Sequence, residues 1–419
     1  MSWRPSDTRL DSRDWRDALW FFLAALATYA VTCPGATGYD QYALLARALL
    51  HGSLSLPERP PALEMAEWHG RAYFTNPPTP ALLLVPIVWI SEHEPFRSWL
   101  LKWNGGFELP LGFLQTCLSL VLGAASVGLT RRALARIPVS RRAANWGAVL
   151  FGFGSIHWYH ATIGSVWYIA EIVHGTAMWL VVLEWLGRAR PALLGLGLAA
   201  AFWCRMETVV AVPFVLVARP DRWLATVPGR SLPRLRLGWL AAFAAPVAAV
   251  LALNAGYNWI RFGVFGNQAY ELVLKNAAGF GDSLFNFGNW RSHVYMLFRQ
   301  PPVYQATYPW VIPAISGLSI WYTTPAFIYA LRAPLDRLTA ACWIGILLFV
   351  AVLFQFGGTG MSQLGYRFAL DFYPLLTVLT MRGMDRPVRW WHIALILFGV
   401  VANAWGVWVL SFLEIGRLF

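Results

Sequence analysis

The sequence predicts an all-α polytopic membrane protein: a bundle of about eleven transmembrane helices, with juxtamembrane helices in its first outer loop. Three observations predict it. Hydrophobic residues make up 58% of the chain, charged residues only 13%, and the mean hydropathy is +0.49. A soluble domain carries roughly 25% charge, so a chain this apolar must hide its surface in lipid. Apolar runs of crossing length, about 20 residues, recur near 17–34, 106–130, 143–159, 166–187, 237–259, 309–331, 338–356, 365–381 and 391–412. Between the runs sit short groups of arginines, the usual place of topology signals.

The polar start carries Arg4, Arg9, Arg13 and Arg16, and no small-residue cleavage site follows the first run. The first run therefore reads as an uncleaved span with the N-terminus in the cytoplasm. Asn76-Pro77-Pro78-Thr79-Pro80 leads into Ala81 to Ile90, a short apolar stretch interrupted by Pro86. If 77–91 crossed, Arg131, Arg132, Arg136, Arg141 and Arg142 would lie opposite the basic N-terminus, against the positive-inside rule. It is assigned instead to the outer interface. The run 191–218 has Arg188 and Arg190 before it and Arg219, Arg222, Arg230, Arg234 and Arg236 after it. Both of its ends are then cytoplasmic, and Arg205-Met206-Glu207 divides it into a hairpin reaching part-way across. Polar residues at such a tip are tolerated where they line a cavity.

Arg332, Arg337, Arg382, Arg386 and Arg389 complete the cytoplasmic set, which leaves 35–105 as the first outer loop and 260–308 as a second large one. Residues 1–419 form a single transmembrane domain on this reading, with the C-terminus outside, no internal repeat and no separate soluble domain. The net charge of +12 does not indicate nucleic acid, because the arginines form no single face with interleaved aromatics; they fit orientation and contact with membrane lipids. Cys33, Cys117, Cys204 and Cys342 are scattered through apolar runs, without the spacing of a disulfide framework or metal site.

The notable polar groups then gather on the outer face. The first loop holds Asp40, Tyr42, Glu58, Glu64, Glu67, Tyr73 and Asn76; the second outer segment holds His157 and His160. The hairpin tip supplies Arg205 and Glu207, the long loop Lys275, Asp282 and His293, and the last outer turn Tyr366, Arg367 and Asp371. A carboxylate beside a membrane span is costly and marks a functional site by default. It can take a proton from a hydroxyl while arginines neutralise a phosphate, which Arg holds in bidentate fashion better than Lys. Plainer roles stand beside these. Asp40 suits the N-cap of a helix starting at Gln41. His157 and His160, three apart, suit a metal or ordinary interfacial hydrogen bonds. Arg367 and Asp371 suit a helix-face pair, Arg205 and Glu207 suit one another, and Glu64 and Glu67 suit a solvated helix face.

Four motifs together resemble the GT-C superfamily of lipid-phosphate-dependent glycosyltransferases, which includes aminoarabinose transferases, protein O-mannosyltransferases and oligosaccharyltransferases. They are Tyr39-Asp40-x-Tyr42 beyond the first span, Tyr73-Phe74-Thr75-Asn76-Pro77-Pro78, the broken helix pair with Arg205 at its turn, and Gln363-x-Gly365-Tyr366-Arg367-Phe368 with Asp371. The resemblance implies a GT-C-like bundle in a bacterial inner membrane. It implies an inverting transfer from a polyprenyl-phosphate-linked sugar to a glycan, lipid or protein acceptor on the outer face. Asp40 would match the acidic residue of the family's first loop and act as general base toward the acceptor hydroxyl, and Arg205 and Arg367 would bind the donor phosphate. Tyr42, Glu67, Tyr73, Asn76, His157, His160, Glu207 and Tyr366 are the further substrate-binding candidates. Many relatives carry a second acid in the second outer loop, where this chain has His157 and His160; Glu171 falls inside the next predicted helix. One carboxylate makes a poor divalent-metal site, so no cofactor is expected to be required, a divalent metal being left open. A transporter or flippase of lipid-linked sugars, and a polymerase of lipid-linked glycans, are the competing functions.

Overall fold

The computed structural model describes residues 11–56, 64–225, 233–276, 285–384 and 387–415. Glu58 and Asp282 lie outside the described residues. In an apolar surrounding a backbone must satisfy its own hydrogen bonds, so the hydrophobic runs become helices. The first, α1 (Ser12–Val31), enters the first outer loop, where α2 (Gln41–Leu50), α3 (Thr79–Glu92) and α4 (Phe96–Trp103) lie. At 14 residues, α3 is about 21 Å long, shorter than the roughly 30 Å hydrocarbon core.

The stretch around Glu64 and Glu67 is not a helix. Strands β1 (Met65–Trp68) and β2 (Arg71–Phe74) pair antiparallel in the register Met65↔Phe74 to Trp68↔Arg71. His69 (φ 49°) and Gly70 (φ 73°) connect them. Positive φ at both residues of a two-residue connection matches the twist of a hairpin.

Next come α5 (Leu111–Leu134), α6 (Arg141–Gly152), α7 (His157–Ile163) and α8 (Val166–Leu186). Arg131, near the end of α5, pairs with Asp14 (3.2 Å) and Asp17 (2.7 Å) at the start of α1, and Arg141 adds a second contact to Asp17 at 2.5 Å. These bonds run α1 and α5 antiparallel. A Cβ on Gly187 would meet the Arg136 guanidinium, so the end of α8 lies at the same basic end.

The predicted hairpin resolves into α9 (Pro191–Phe202), a 3₁₀ turn over Met206–Ala211 and α10 (Val212–Ala218), followed by α11 (Pro220–Trp223). Arg190 pairs with Glu184 at 2.7 Å, and Arg219 donates to the carbonyls of Trp185 (2.8 Å) and Gly187 (2.9 Å). Both ends of 191–218 thus return to the C-terminal end of α8, while Thr208 near the tip sits 2.9 Å from His174. Glu171 lies 15 residues before Leu186, so the tip stands roughly 20 Å from the basic end.

The remainder is α12 (Leu237–Phe262), α13 (Gln268–Asn276), α14 (Trp290–Phe298), α15 (Ile320–Thr323), α16 (Arg337–Leu353), α17 (Tyr373–Gly383) and α18 (Trp390–Ser411). Arg382 pairs with Asp336 at 2.6 Å, closing α17 on the start of α16. Three predicted runs do not form single helices. The run 143–159 breaks between α6 and α7 at Phe153-Gly154. The run 309–331 contains the strand Val311–Ile312, α15 and a 3₁₀ segment Pro325–Arg332; Pro309, Pro313 and Pro325 lack the amide proton a helix needs. The run 365–381 splits into a 3₁₀ segment, Arg367–Asp371, and α17, with Pro374 in the first turn of the latter. Among the described residues, four helices are long and apolar enough to cross a membrane: α5, α8, α12 and α18. Four shorter apolar segments, at 79–92, 191–202, 206–218 and 337–353, accompany them. The expected number near eleven came from apolar length, which does not register these breaks.

Candidate functional site

The Asp40 stretch is positioned from α5. The Gln115 amide nitrogen donates to the Tyr39 carbonyl (3.0 Å) and the Gly164 carbonyl (2.8 Å), and its oxygen accepts from the Ala43 amide at 3.1 Å. Val166 N–H adds a bond to the same Tyr39 carbonyl at 3.1 Å. Below it, Gly112 packs on Thr37 so closely that a Cβ would lie 1.9 Å from the Thr37 carbonyl oxygen. Gly112→Ala must therefore displace either α5 or the 35–40 segment. Overpacking of this kind costs about 1–3 kcal/mol, which should appear as a lowered melting temperature in detergent. An unchanged melting temperature would show that the segment yields freely.

Asp40 precedes α2, and its carbonyl accepts from the amides of Ala43 (2.8 Å) and Leu44 (3.1 Å). Its side chain makes no capping hydrogen bond to the helix. Gln41 and Tyr42, just inside α2, are fully buried, yet neither the Gln41 amide atoms nor the Tyr42 hydroxyl finds a hydrogen-bond partner. Tyr42 packs edge-on to Phe74 at 4.8 Å.

Glu64 is part of this loop's polar wall rather than a solvated face. It accepts from Trp167 Nε1 (3.0 Å) and from the Thr75 hydroxyl (2.9 Å). Beside it the Tyr270 hydroxyl of α13 donates to Asn76 Oδ1. Burial, together with the charges of Glu64 and Glu207, pushes the Tyr270 hydroxyl up, while Arg205 and Arg367 pull against it. Tyr270, where it meets Asn76, therefore lies within the field of both arginines. Thr79 N–H also donates to the Trp203 carbonyl at 3.3 Å, tying the start of α3 to the hairpin tip.

At that tip the charges converge. Arg205 reaches Asp371 at 2.8 Å and Glu207 at 2.7 Å, with Glu171 at 3.7 Å. Arg367 has Glu171 at 3.7 Å, too long for a hydrogen bond. His174 lies 3.3 Å from Asp371, and His160 lies 3.5 Å from Glu171 while stacking on Tyr168 at 4.6 Å. Both arginines stand over the Phe368 ring, at 5.1 and 5.2 Å. Two cations thus face three carboxylates. Arg367 and Asp371 do not form the predicted helix-face pair, because a 3₁₀ turn sets residues three apart, not four, on one line; Asp371 turns to Arg205 instead. Both Glu171 oxygens and both His160 nitrogens are buried without a hydrogen-bond partner.

Other candidates lie elsewhere. His157 donates from Nε2 to the Gly123 carbonyl (3.0 Å) and packs on Phe151, away from the cluster. Glu67 is exposed on β1, and Tyr73 packs on Phe262 at 5.2 Å. The Tyr366 hydroxyl donates to His293 Nδ1 at 2.7 Å, and His293 Nε2 donates to the Phe356 carbonyl, joining α14 to the last outer turn. Sequence reasoning did not single out His174, Thr208 or Tyr270, and it passed over Glu171 as merely helical. The signal for Glu171 and His174 was there: two ionisable residues three apart inside one apolar run.

Among the described residues, no three His, Cys, Asp or Glu side chains are arranged to hold a metal ion, and Asp371 and Glu207 already take the Arg205 guanidinium.

The fold and site together define an all-α polytopic membrane protein with a buried ionic cluster at the end opposite its basic loops. No family model matches the chain, and no curated protein matches it. Two solved structures are similar to it over 96% of its length at 12% identity. One is the Archaeoglobus fulgidus oligosaccharyltransferase tethered to an acceptor peptide containing the NVT sequon, with a TM-score of 0.44 and 55% of that chain covered. The other is the archaeal oligosaccharyltransferase AglB of Archaeoglobus fulgidus with an inhibitory peptide and dolichol-phosphate, with a TM-score of 0.42 and 56% covered. The chain spans about half the length of those proteins.

Proposed function

We propose that the protein is a GT-C-type inverting glycosyltransferase that moves a sugar from a polyprenyl-phosphate carrier to an acceptor hydroxyl. The reaction takes place at the outer face of a bacterial cytoplasmic membrane. The observation that supports this reading is the set of buried, unpartnered polar groups on α2 just after Asp40 and around the two arginines. Gln41, Tyr42, Glu171, His160 and the Nε atoms of Arg205 and Arg367 all lack hydrogen-bond partners. Buried polar groups are normally satisfied, and a sugar phosphate offers both donors and acceptors to satisfy them.

In the proposed step Asp40 takes the proton of the acceptor hydroxyl as its oxygen attacks the anomeric carbon from the face opposite the phosphate. The bond from that carbon to the phosphate oxygen breaks, and the lipid phosphate leaves with the electron pair. Arg367, whose nearest carboxylate, Glu171, stays at 3.7 Å and beyond hydrogen-bond length, supplies the stronger charge clamp, with Arg205 behind it. A transporter would carry paired charges near the bilayer midplane. Here Glu171 and His174 fall in the first half of α8, nearer the end opposite the basic loops, which favours the transferase.

The test is transfer by the purified protein in lipid nanodiscs, supplied with a labelled polyprenyl-phosphate sugar and a panel of acceptors in chelator. The expected result is a product of inverted anomeric configuration together with free polyprenyl phosphate. Movement of intact donor across vesicles without such release would establish the flippase instead. Loss of turnover in chelator, restored by Mn²⁺, would overturn metal independence.

A further inference from the structure

The first outer loop carries a second polar cavity, outside the cluster described above. It has a volume of about 310 Å³, at the lower end of small-molecule sites. Arg47 of α2, Glu92 of α3, Arg97 of α4 and Glu108 line it, with Leu100 and Leu101 on its apolar side. Its charges alternate in sign: Arg47 pairs with Glu92 at 2.8 Å, and Arg97 pairs with Glu108 at 2.7 Å. All four side chains keep water-facing surface, from 29% for Glu92 to 68% for Glu108. They can therefore open to a ligand without stranding a buried charge.

One wall of the cavity is built by Arg97, Leu100 and Leu101 of α4. No residue of α4 is buried. Phe96, Trp99 and Trp103, at positions i, i+3 and i+7, form one face and are 53%, 61% and 63% exposed. Aromatic side chains on a short amphipathic helix sit at headgroup level. A helix with that aromatic face sets Arg97 near headgroup level, and the cavity offers two guanidinium groups and two carboxylates.

We infer that this cavity binds the headgroup of an aminophospholipid of the phosphatidylethanolamine type. Its phosphate would accept from Arg47 and Arg97, and its ammonium would donate to Glu92 and Glu108. A choline headgroup has no N–H to donate, and an anionic glycerol headgroup leaves both carboxylates facing like charge. Arg47 lies seven residues after Asp40 on α2, so the bound lipid braces the far end of the helix that follows Asp40. The inference does not depend on the transferase reading.

Native mass spectrometry of the detergent-purified protein, titrated with ethanolamine, choline and glycerol phospholipids of matched acyl chains, tests it. The ethanolamine lipid should be retained preferentially. Arg97→Gln and Glu92→Gln should each weaken that retention by about fivefold, the loss of one charge-assisted hydrogen bond, while Lys102→Gln on the same helix has no effect. Should Glu92→Gln not fold, Glu108→Gln makes the same test at a more exposed position. Choline lipid bound as tightly as ethanolamine lipid, glycerol lipid bound more tightly, or an equal loss in Lys102→Gln would each overturn the inference.

Discussion

Asp40→Asn is expected to lower sugar transfer by about 10²- to 10⁴-fold, the usual worth of a positioned general base, while donor binding and folding stay close to wild type. Asn matches the shape of Asp but cannot take a proton. The backbone contacts that start α2 come from the Asp40 carbonyl to Ala43 and Leu44, and Asn keeps them. The side chain makes no cap bond to α2, so the start of that helix does not depend on the carboxylate. Single-turnover transfer, measured beside donor binding by the purified protein, separates the two effects. Full transfer by Asp40→Asn would remove Asp40 from the reaction. Loss of donor binding with transfer falling only in proportion would make it a binding residue instead.

Legibility in the sequence followed the length scale of the cause. Where arginines flank an apolar run, the pattern was enough. The return of 191–218 to its starting end was readable from Arg190 and Arg219, because those charges must stay out of the hydrocarbon core, and in the structure both act at the end of α8. The convergence of Arg205 with the last outer turn was also readable, since an intramembrane charge needs partners. The choice of partner was not. Asp371 takes Arg205 rather than Arg367 because the segment winds as 3₁₀, where the sequence reads as a continuous apolar helix. His157 was indistinguishable from His160 in sequence. Only the packing of α7 against both α5 and α8 gives one of them the Gly123 carbonyl and the other Glu171. Glu64 read as solvated because its partners, Thr75 and Trp167, lie 11 and 103 residues away.

The second large effect is on stability. Arg205→Met is expected to destabilise the protein by about 3–5 kcal/mol, the cost of breaking a buried ion pair by removing one partner. Three carboxylates lean on this guanidinium: Asp371 and Glu171 are fully buried, and Glu207 is 16% exposed. Without Arg205 they face one another with only Arg367 nearby, 3.7 Å from Glu171. Arg367→Met should cost less, because Arg367 makes no contact of hydrogen-bond length to a carboxylate. That ordering is the useful part of the test. If the arginines mainly hold a ligand, removing Arg367 should harm transfer at least as much as removing Arg205 while sparing the fold. Denaturant unfolding of both variants in detergent gives the comparison, and Arg205→Met/Asp371→Asn closes a double-mutant cycle. The double variant should recover part of the loss, since the carboxylate stranded by the first change is neutralised by the second. Equal costs for the two arginines, or a cycle without coupling, would mean that Arg205 does not hold this cluster together.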